Sequence, residues 1–289
     1  MNIIKYANIT LGGELGLNFY VSVSDDLVSA GAKAVMSGPA GEKETVISSL
    51  TKDSDGYYKL TYKIRAIDSD KSVSLKLIDS SGNTIGLFKT NGEQITDDTF
   101  TYSIGEYVNA AMQLDEQYVT ADQKEKIKAM NTYAAYSVKW KYNTPLPTDG
   151  SINELPEATA ETLAKYQLTK SGTANVEITG ASLLLDSNTA FKLYFKCDTV
   201  PNITLDGKAV VPVGSGDEYF IIVENIGVKD LKTEYTVEFG ESYTVKFSAL
   251  SYAYSVLKNK DSYPELISDE LCDLVKAIYA YSESYVPEN

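Results

Sequence analysis

The chain has 289 residues, a net charge of −14 and no histidine. The missing imidazole removes histidine-based triads and the zinc and haem sites that need it, and the acidic balance opposes nucleic-acid and anionic-membrane partners. A length near two ordinary domains and 43% hydrophobic residues suit a folded chain that needs neither metal nor disulfide staples.

Taken in chain order, Ile9 to Val23 holds two β-rich runs around Gly12-Gly13, a hairpin signal. These glycines, with Gly16, lie between strands and make no phosphate cradle. Tyr57 to Ile67 and Val73 to Ile78 are the next predicted strands. The turn clusters Asp53-Ser54-Asp55-Gly56, Asp68-Ser69-Asp70 and Asp79-Ser80-Ser81-Gly82-Asn83 separate them. The pattern then changes to helix. Ser103-Ile104-Gly105-Glu106 and Thr120-Ala121-Asp122-Gln123 read as capping boxes, and Ile127, Met130, Ala134 and Val138 share one helical face. Pro145, Pro147, Gly150 and Pro156 give the following stretch a linker composition, with a short helical piece at Thr159 to Tyr166. Near the C-terminus, Ser262-Tyr263-Pro264-Glu265 reads as a third capping box. Leu271, Leu274, Val275, Ile278, Ser282 and Tyr285 follow it at helical spacing.

The two halves resemble each other. Ala7 to Tyr20 aligns without gaps on Ala181 to Tyr194, so Leu17 meets Phe191 and Tyr20 meets Tyr194. Gly56–Tyr62 then resembles Asp217–Val223, Phe100–Ile104 resembles Tyr243–Phe247, and Lys128–Tyr133 resembles Lys276–Tyr281. Colinearity of four weak blocks points to an internal repeat. Each unit reads strands first and helices last. The expected fold is therefore α+β, with two related units at 1–146 and 147–289, each an antiparallel sheet or sandwich followed by a helix pair. The second unit is expected to be preceded by a linker.

Candidate chemistry is sparse. Asp53–Gly56 and Asp79–Asn83 offer oxygen ligands, but neither cluster completes a calcium loop, and turn chemistry is the plainer reading. Forty acidic residues permit a glycosidase pair on numbers alone, yet that pair is defined by separation in space. No catalytic residue, metal or cofactor is assigned. Cys197 and Cys272 lack a metal or redox spacing; they could pair, although buried free thiols are commoner. Arg65 is the only arginine, which leaves little capacity for bidentate anion recognition. Among 22 Tyr, 8 Phe and 1 Trp, most rings suit β-structure. Tyr57, Tyr58 and Trp140 are the candidate surface aromatics for binding. For Trp140 the competing expectation is that it closes a domain core. The stripes Tyr133–Tyr136 and Tyr279–Tyr281 with Tyr285 are expected to pack helix against sheet.

No apolar run reaches the ~18 residues of a membrane span, so no membrane insertion is expected. The N-terminus lacks the pattern of a signal peptide, which leaves a cytoplasmic protein or a piece of a longer secreted chain. The segments ITLGGELGLNFYVSVSDD, GYYKLTYKI, FTYSIGEYVNAAM and KIKAMNTYAAYSVKWKYNT, with ITGASLLLDSNTAFKLYFKCD in the second half, resemble a tandem module of large secreted surface proteins of gut Firmicutes. The resemblance spans nearly the whole chain and rests on structural motifs. It implies an extracellular, cell-surface home beside other domains of a longer parent chain. It also implies a non-catalytic binding or adhesion role toward a host protein, immunoglobulin included, or a glycan. The rival expectations are a carboxylate-based carbohydrate-active enzyme and a purely structural spacer.

Overall fold

A computed structural model describes residues 1–10, 15–185 and 189–285. The expected hairpin tip at Gly12-Gly13 lies outside the described residues. The chain is α+β and divides into two compact units, Met1–Lys124 and Glu125–Asn289. The break expected between residues 146 and 147 falls inside the second of them.

In the first unit, β1 (Ile3–Thr10), β2 (Gly16–Ser22) and β5 (Tyr58–Lys63) form one sheet, with the short β8 (Phe88–Lys89) on its edge. The second sheet holds β3 (Lys33–Gly38), β4 (Gly41–Val46), β6 (Val73–Ile78), β7 (Thr84–Ile85) and β9 (Thr99–Tyr102). The first has the order β5-β2-β1-β8. In the second, β4-β3-β6 is continued by β7 and β9, which pair with different stretches of β6. A short helix α1 (Asp25–Ser29) links β2 to β3, and α2 (Ile104–Gln113) follows β9. Alternation sets the faces: Tyr58, Leu60 and Tyr62 turn inward, while Lys59 and Lys63 turn out. The two sheets meet where Phe19 of β2 packs edge-on to Phe100 of β9, with centroids 6.0 Å apart. Tyr62 reaches across as well. Its hydroxyl accepts from the Ala40 N–H at 2.9 Å and donates to the Gly41 carbonyl at 2.8 Å. A Cβ at Gly38 would come within 2.9 Å of the Tyr62 ring, so glycine is what lets that ring lie under β3.

In the second unit, β11 (Glu177–Leu185), β12 (Thr189–Lys196), β16 (Glu218–Val223) and β15 (Val213–Ser215) form one sheet. The other runs β10 (Thr169–Gly172), β18 (Tyr243–Phe247), β17 (Tyr235–Phe239), β13 (Ile203–Leu205) and β14 (Lys208–Ala209). The core between them is aromatic. Phe191 stacks on Phe247 at 4.5 Å, and Phe195 meets Phe239 edge-on at 5.0 Å. Burying each such ring contributes roughly 1.5–3 kcal/mol. In each unit a first hairpin, β1-β2 or β11-β12, is continued by a later strand, β5 or β16, while β3, β4, β6, β7 and β9, or β13, β14, β17 and β18, form the opposing sheet; β8 and β15 extend the first sheets, and β10 extends the opposing sheet of the second unit. That is the strand order of an immunoglobulin-type sandwich, and each unit has it. Three of the four aligned blocks fall at matching places in the two orders, β1-β2 with β11-β12, β5 with β16, and β9 with β18; the fourth, Lys128–Tyr133 with Lys276–Tyr281, lies on α3 and α5, both in the second unit.

The helices α3 (Ala121–Tyr142), α4 (Ala249–Asn259) and α5 (Asp269–Glu283) complete the chain. Two caps expected from the sequence form. The Glu106 N–H donates to Ser103 Oγ at 3.2 Å, and Thr120 and Gln123 exchange both bonds of a capping box. The third does not. The α5 helix starts at the Ser268 cap, which accepts from the Leu271 N–H at 3.2 Å. Ser262–Glu265 belongs to the turn after α4, where the Tyr263 N–H still bonds back to the Asn259 carbonyl. From Glu125 onward α3 belongs to the second unit, where Tyr133 stacks on Tyr281 of α5 at 5.7 Å. The linker-like stretch lies along this helix. Asn131 Nδ2 donates to the Ser151 carbonyl at 3.0 Å, the Asn153 N–H donates to Thr132 Oγ1 at 2.8 Å, and Ala158 and Leu163 are buried.

Candidate functional site

The three candidate aromatics do not form one site. Tyr58, expected at the surface, is buried at 5% exposure, because it starts the inward-facing set of β5. Trp140 is 41% exposed and does not close a core, and Tyr142 beside it is exposed too. Tyr57 is partly exposed, one residue before β5, and lies in the other compact unit from Trp140. Of the three, Tyr57 stands in a cluster of aromatic and charged groups.

That cluster occupies the outer face of the β1-β2-β5 sheet. Register places Tyr6 opposite Tyr20, and their rings stack at 4.5 Å. A β-bulge between Ile4 and Tyr6 inserts Lys5. The Lys5 ammonium lies 4.4 Å from the Tyr57 centroid and 5.6 Å from that of Tyr6, and it donates to Asp55 at 2.8 Å. This bond to the Asp55 carboxylate raises the Lys5 pKa, and partial burial raises that of Tyr6. The next row is polar. Buried Asn18 donates to Asn8 at 2.8 Å and to Thr10 at 2.9 Å, and accepts from the Thr61 hydroxyl at 2.7 Å.

The equivalent face of the second unit carries a related patch. Tyr194, which the repeat aligns with Tyr20, lies opposite Gly180, and a β-bulge between Ile178 and Gly180 inserts Thr179. Tyr194 is 5.7 Å from Phe220 of β16, and the Lys192 ammonium sits 4.2 Å over the Phe220 ring. The Tyr194 hydroxyl is 3.2 Å from Ser182 Oγ. Here the face is hollowed into a groove of about 490 Å³, lined by Thr179, Gly180, Tyr194, Ser215, Glu218 and Phe220 among others. That volume lies within the ~300–1,000 Å³ of small-molecule sites.

The other sequence candidates have structural employment. Asp53 accepts from the N–H groups of Asp55 and Tyr57, and Asp79 from those of Ser81 and Asn83, so both carboxylates bind their own turns. Among the described residues, no group of three or more metal-ligating side chains forms. Arg65 holds buried Asp68 at 2.6 Å. Cys197 and Cys272 are separate, buried thiols whose pKa values burial raises. The resolved carboxyl shifts run downward, at Asp25, Asp79, Glu93, Asp149, Glu161, Asp269 and Glu270. Lysine partners or hydrogen-bond donors cause each of them. The general acid of a glycosidase needs the opposite shift.

Sequence reasoning passed over Tyr6, Gly180 and Phe220, and took Tyr20 and Tyr194 only as an aligned pair. One signal was present: directly before the first aligned block, Tyr6 stands where the other half has Gly180.

No family model matches the chain, and no curated protein matches it. Among solved structures, a chimeric titin Z1Z2–Z1Z2 tandem, functionalized with a GRGDS peptide from fibronectin, aligns over 84% of this chain and 93% of its own. The identity is 11% and the TM-score 0.19, a superposition too loose to carry any argument. Among the described residues, no helix is long and apolar enough to cross a membrane.

Proposed function

We propose that this chain is a non-catalytic extracellular binding or adhesion module of a bacterial surface protein, engaging a host protein such as immunoglobulin, or a glycan. One observation carries the reading. Aromatic rings accompanied by a lysine recur on the outer face of the same sheet in both units, around the aligned pair Tyr20 and Tyr194. A purely structural sandwich has no need of paired rings on its solvent face, whereas amphipathic rings beside a cation suit recognition. The resemblance to modules of gut Firmicutes surface proteins supports the setting. The downward carboxyl shifts weigh against the rival carbohydrate-active enzyme.

The test is direct. Purified immunoglobulins, a panel of serum and mucosal proteins, and a glycan array are offered to the full chain. Saturable binding to one of them supports the role. Silence on all three reduces the chain to a spacer.

A further inference from the structure

Among the positions at which the two outer faces differ, one decides whether the aligned tyrosine is covered by a second ring. In the first unit the bulge brings Tyr6 onto Tyr20, and the stack closes the surface at 4.5 Å. In the second unit the same bulge brings Gly180 opposite Tyr194. Glycine has no side chain to cover that ring. A Cβ built on Gly180 meets nothing within 4 Å, so the space a side chain would take is open. That open space forms one side of the groove, and β15 and β16 form the other. Its aromatic side is Tyr194 with Phe220, and exposed Val213 continues the row. The lining also includes Thr179, Ser215 and Glu218, and the Glu218 carboxylate pairs with Lys196 at 2.9 Å.

We infer that the groove over Gly180 is a carbohydrate subsite that takes one hexopyranose ring. The stacking place is sized for one ring, because an intramolecular ring fills its counterpart. The C–H face of a pyranose would lie on Tyr194, with its hydroxyls meeting Thr179, Ser215 and Glu218. A partner's aromatic side chain would match the stacking surface but leave most of those polar groups against an apolar edge. The first unit, by the same logic, is the self-occluded copy. This assignment rests on the binding role proposed above and names its ligand class.

The experiment uses the full chain and defined sugars. Cellotriose, maltotriose, mannotriose and N-acetyllactosamine are titrated at millimolar concentration, with the ring signals of Tyr194 and Phe220 followed by NMR. At least one sugar is expected to shift both rings. Gly180→Tyr, which rebuilds the stack of the first unit, is expected to weaken binding about tenfold with the melting temperature unchanged. Tyr263→Ser, in the turn after α4, should bind as the parent does. No ring shift with any of the sugars overturns the assignment, and so does undiminished binding by Gly180→Tyr. A tyrosine- or phenylalanine-bearing peptide that binds where the sugars fail, and is lost in Gly180→Tyr, overturns the ligand class. If the sugars fail while parent and Gly180→Tyr capture purified immunoglobulin equally, the groove assignment falls and the binding module stands. Silence in both assays removes both.

Discussion

Titrating the stacked pair of Tyr133 and Tyr281 should unfold the second unit in alkali, and one substitution isolates the effect. Burial raises the Tyr133 pKa from 10.0 to about 12, against a smaller pull from Thr189 and Ser137. Burial and the neighbouring Tyr133 raise that of Tyr281 as well. Below the unfolded value both folded and unfolded chains keep the proton, and the contribution is complete. Between pH 10 and 12 the unfolded chain gives up its proton first, so Tyr133 alone removes about 1.4 kcal/mol of stability per pH unit, about 2.7 kcal/mol in all. Tyr133→Phe cannot ionise. It forfeits roughly 1 kcal/mol at neutral pH through the lost hydroxyl bonds. Its stability curve should therefore start below the parent's, fall less steeply in alkali, and cross it near about pH 11. Urea unfolding followed by far-ultraviolet circular dichroism at a series of fixed pH values measures both curves. Other tyrosines with raised values act in the same direction in both proteins and cancel in the difference; Tyr281 alone loses in Tyr133→Phe the part of its shift that Tyr133 supplies, which widens the gap between the two slopes in the same direction. Parallel curves with no crossing would refute the account, because they would mean that Tyr133 ionises as freely when folded as when unfolded.

Two further outcomes follow from buried groups. Asn18→Leu leaves the Thr61 hydroxyl and the side chains of Asn8 and Thr10 without their shared partner. It should cost about 2 kcal/mol and lower the melting temperature by roughly 5–10 °C; a leucine variant as stable as the parent would show that water already serves this row. Cys197 and Cys272 are buried, unpaired and held as thiols. A maleimide should label them slowly in the native chain and both of them in denaturant, whereas a non-reducing digest that yields one linked peptide would contradict the separate thiols.

Much of the framework could be read locally, because strand alternation and helix caps involve near neighbours. Ser103 and Thr120 sit where their own sequences put them. Ser262 misleads because a cap motif states only what a helix start would look like. Asn259 still holds the Tyr263 N–H, and Ser268 offers the better start. The β3-β4 hairpin escaped notice for a different reason. Its outer strand, Gly41–Val46, is almost entirely exposed and charged, as an edge strand should be. No hydrophobic period marks it.

The site asks for more than periodicity. Tyr57 and Tyr58 are adjacent, yet one faces solvent and the other fills the core. Parity with Leu60 and Tyr62 could have separated them, because residues two apart share a face. Gly180 is harder. Its meaning depends on which residue of β12 stands opposite, and that register depends on a bulge at Thr179. A bulge adds one residue without any side-chain signature of its own. The alignment of the two halves supplies what periodicity lacks, since Lys5 and Thr179 sit at aligned positions and each is the extra residue of a bulge. Aligned in this way, Tyr6 and Gly180 become the same position with and without a ring. The groove then joins that missing ring to a strand, β15, that has no counterpart beside β5, and to Phe220 where the first unit has Lys59.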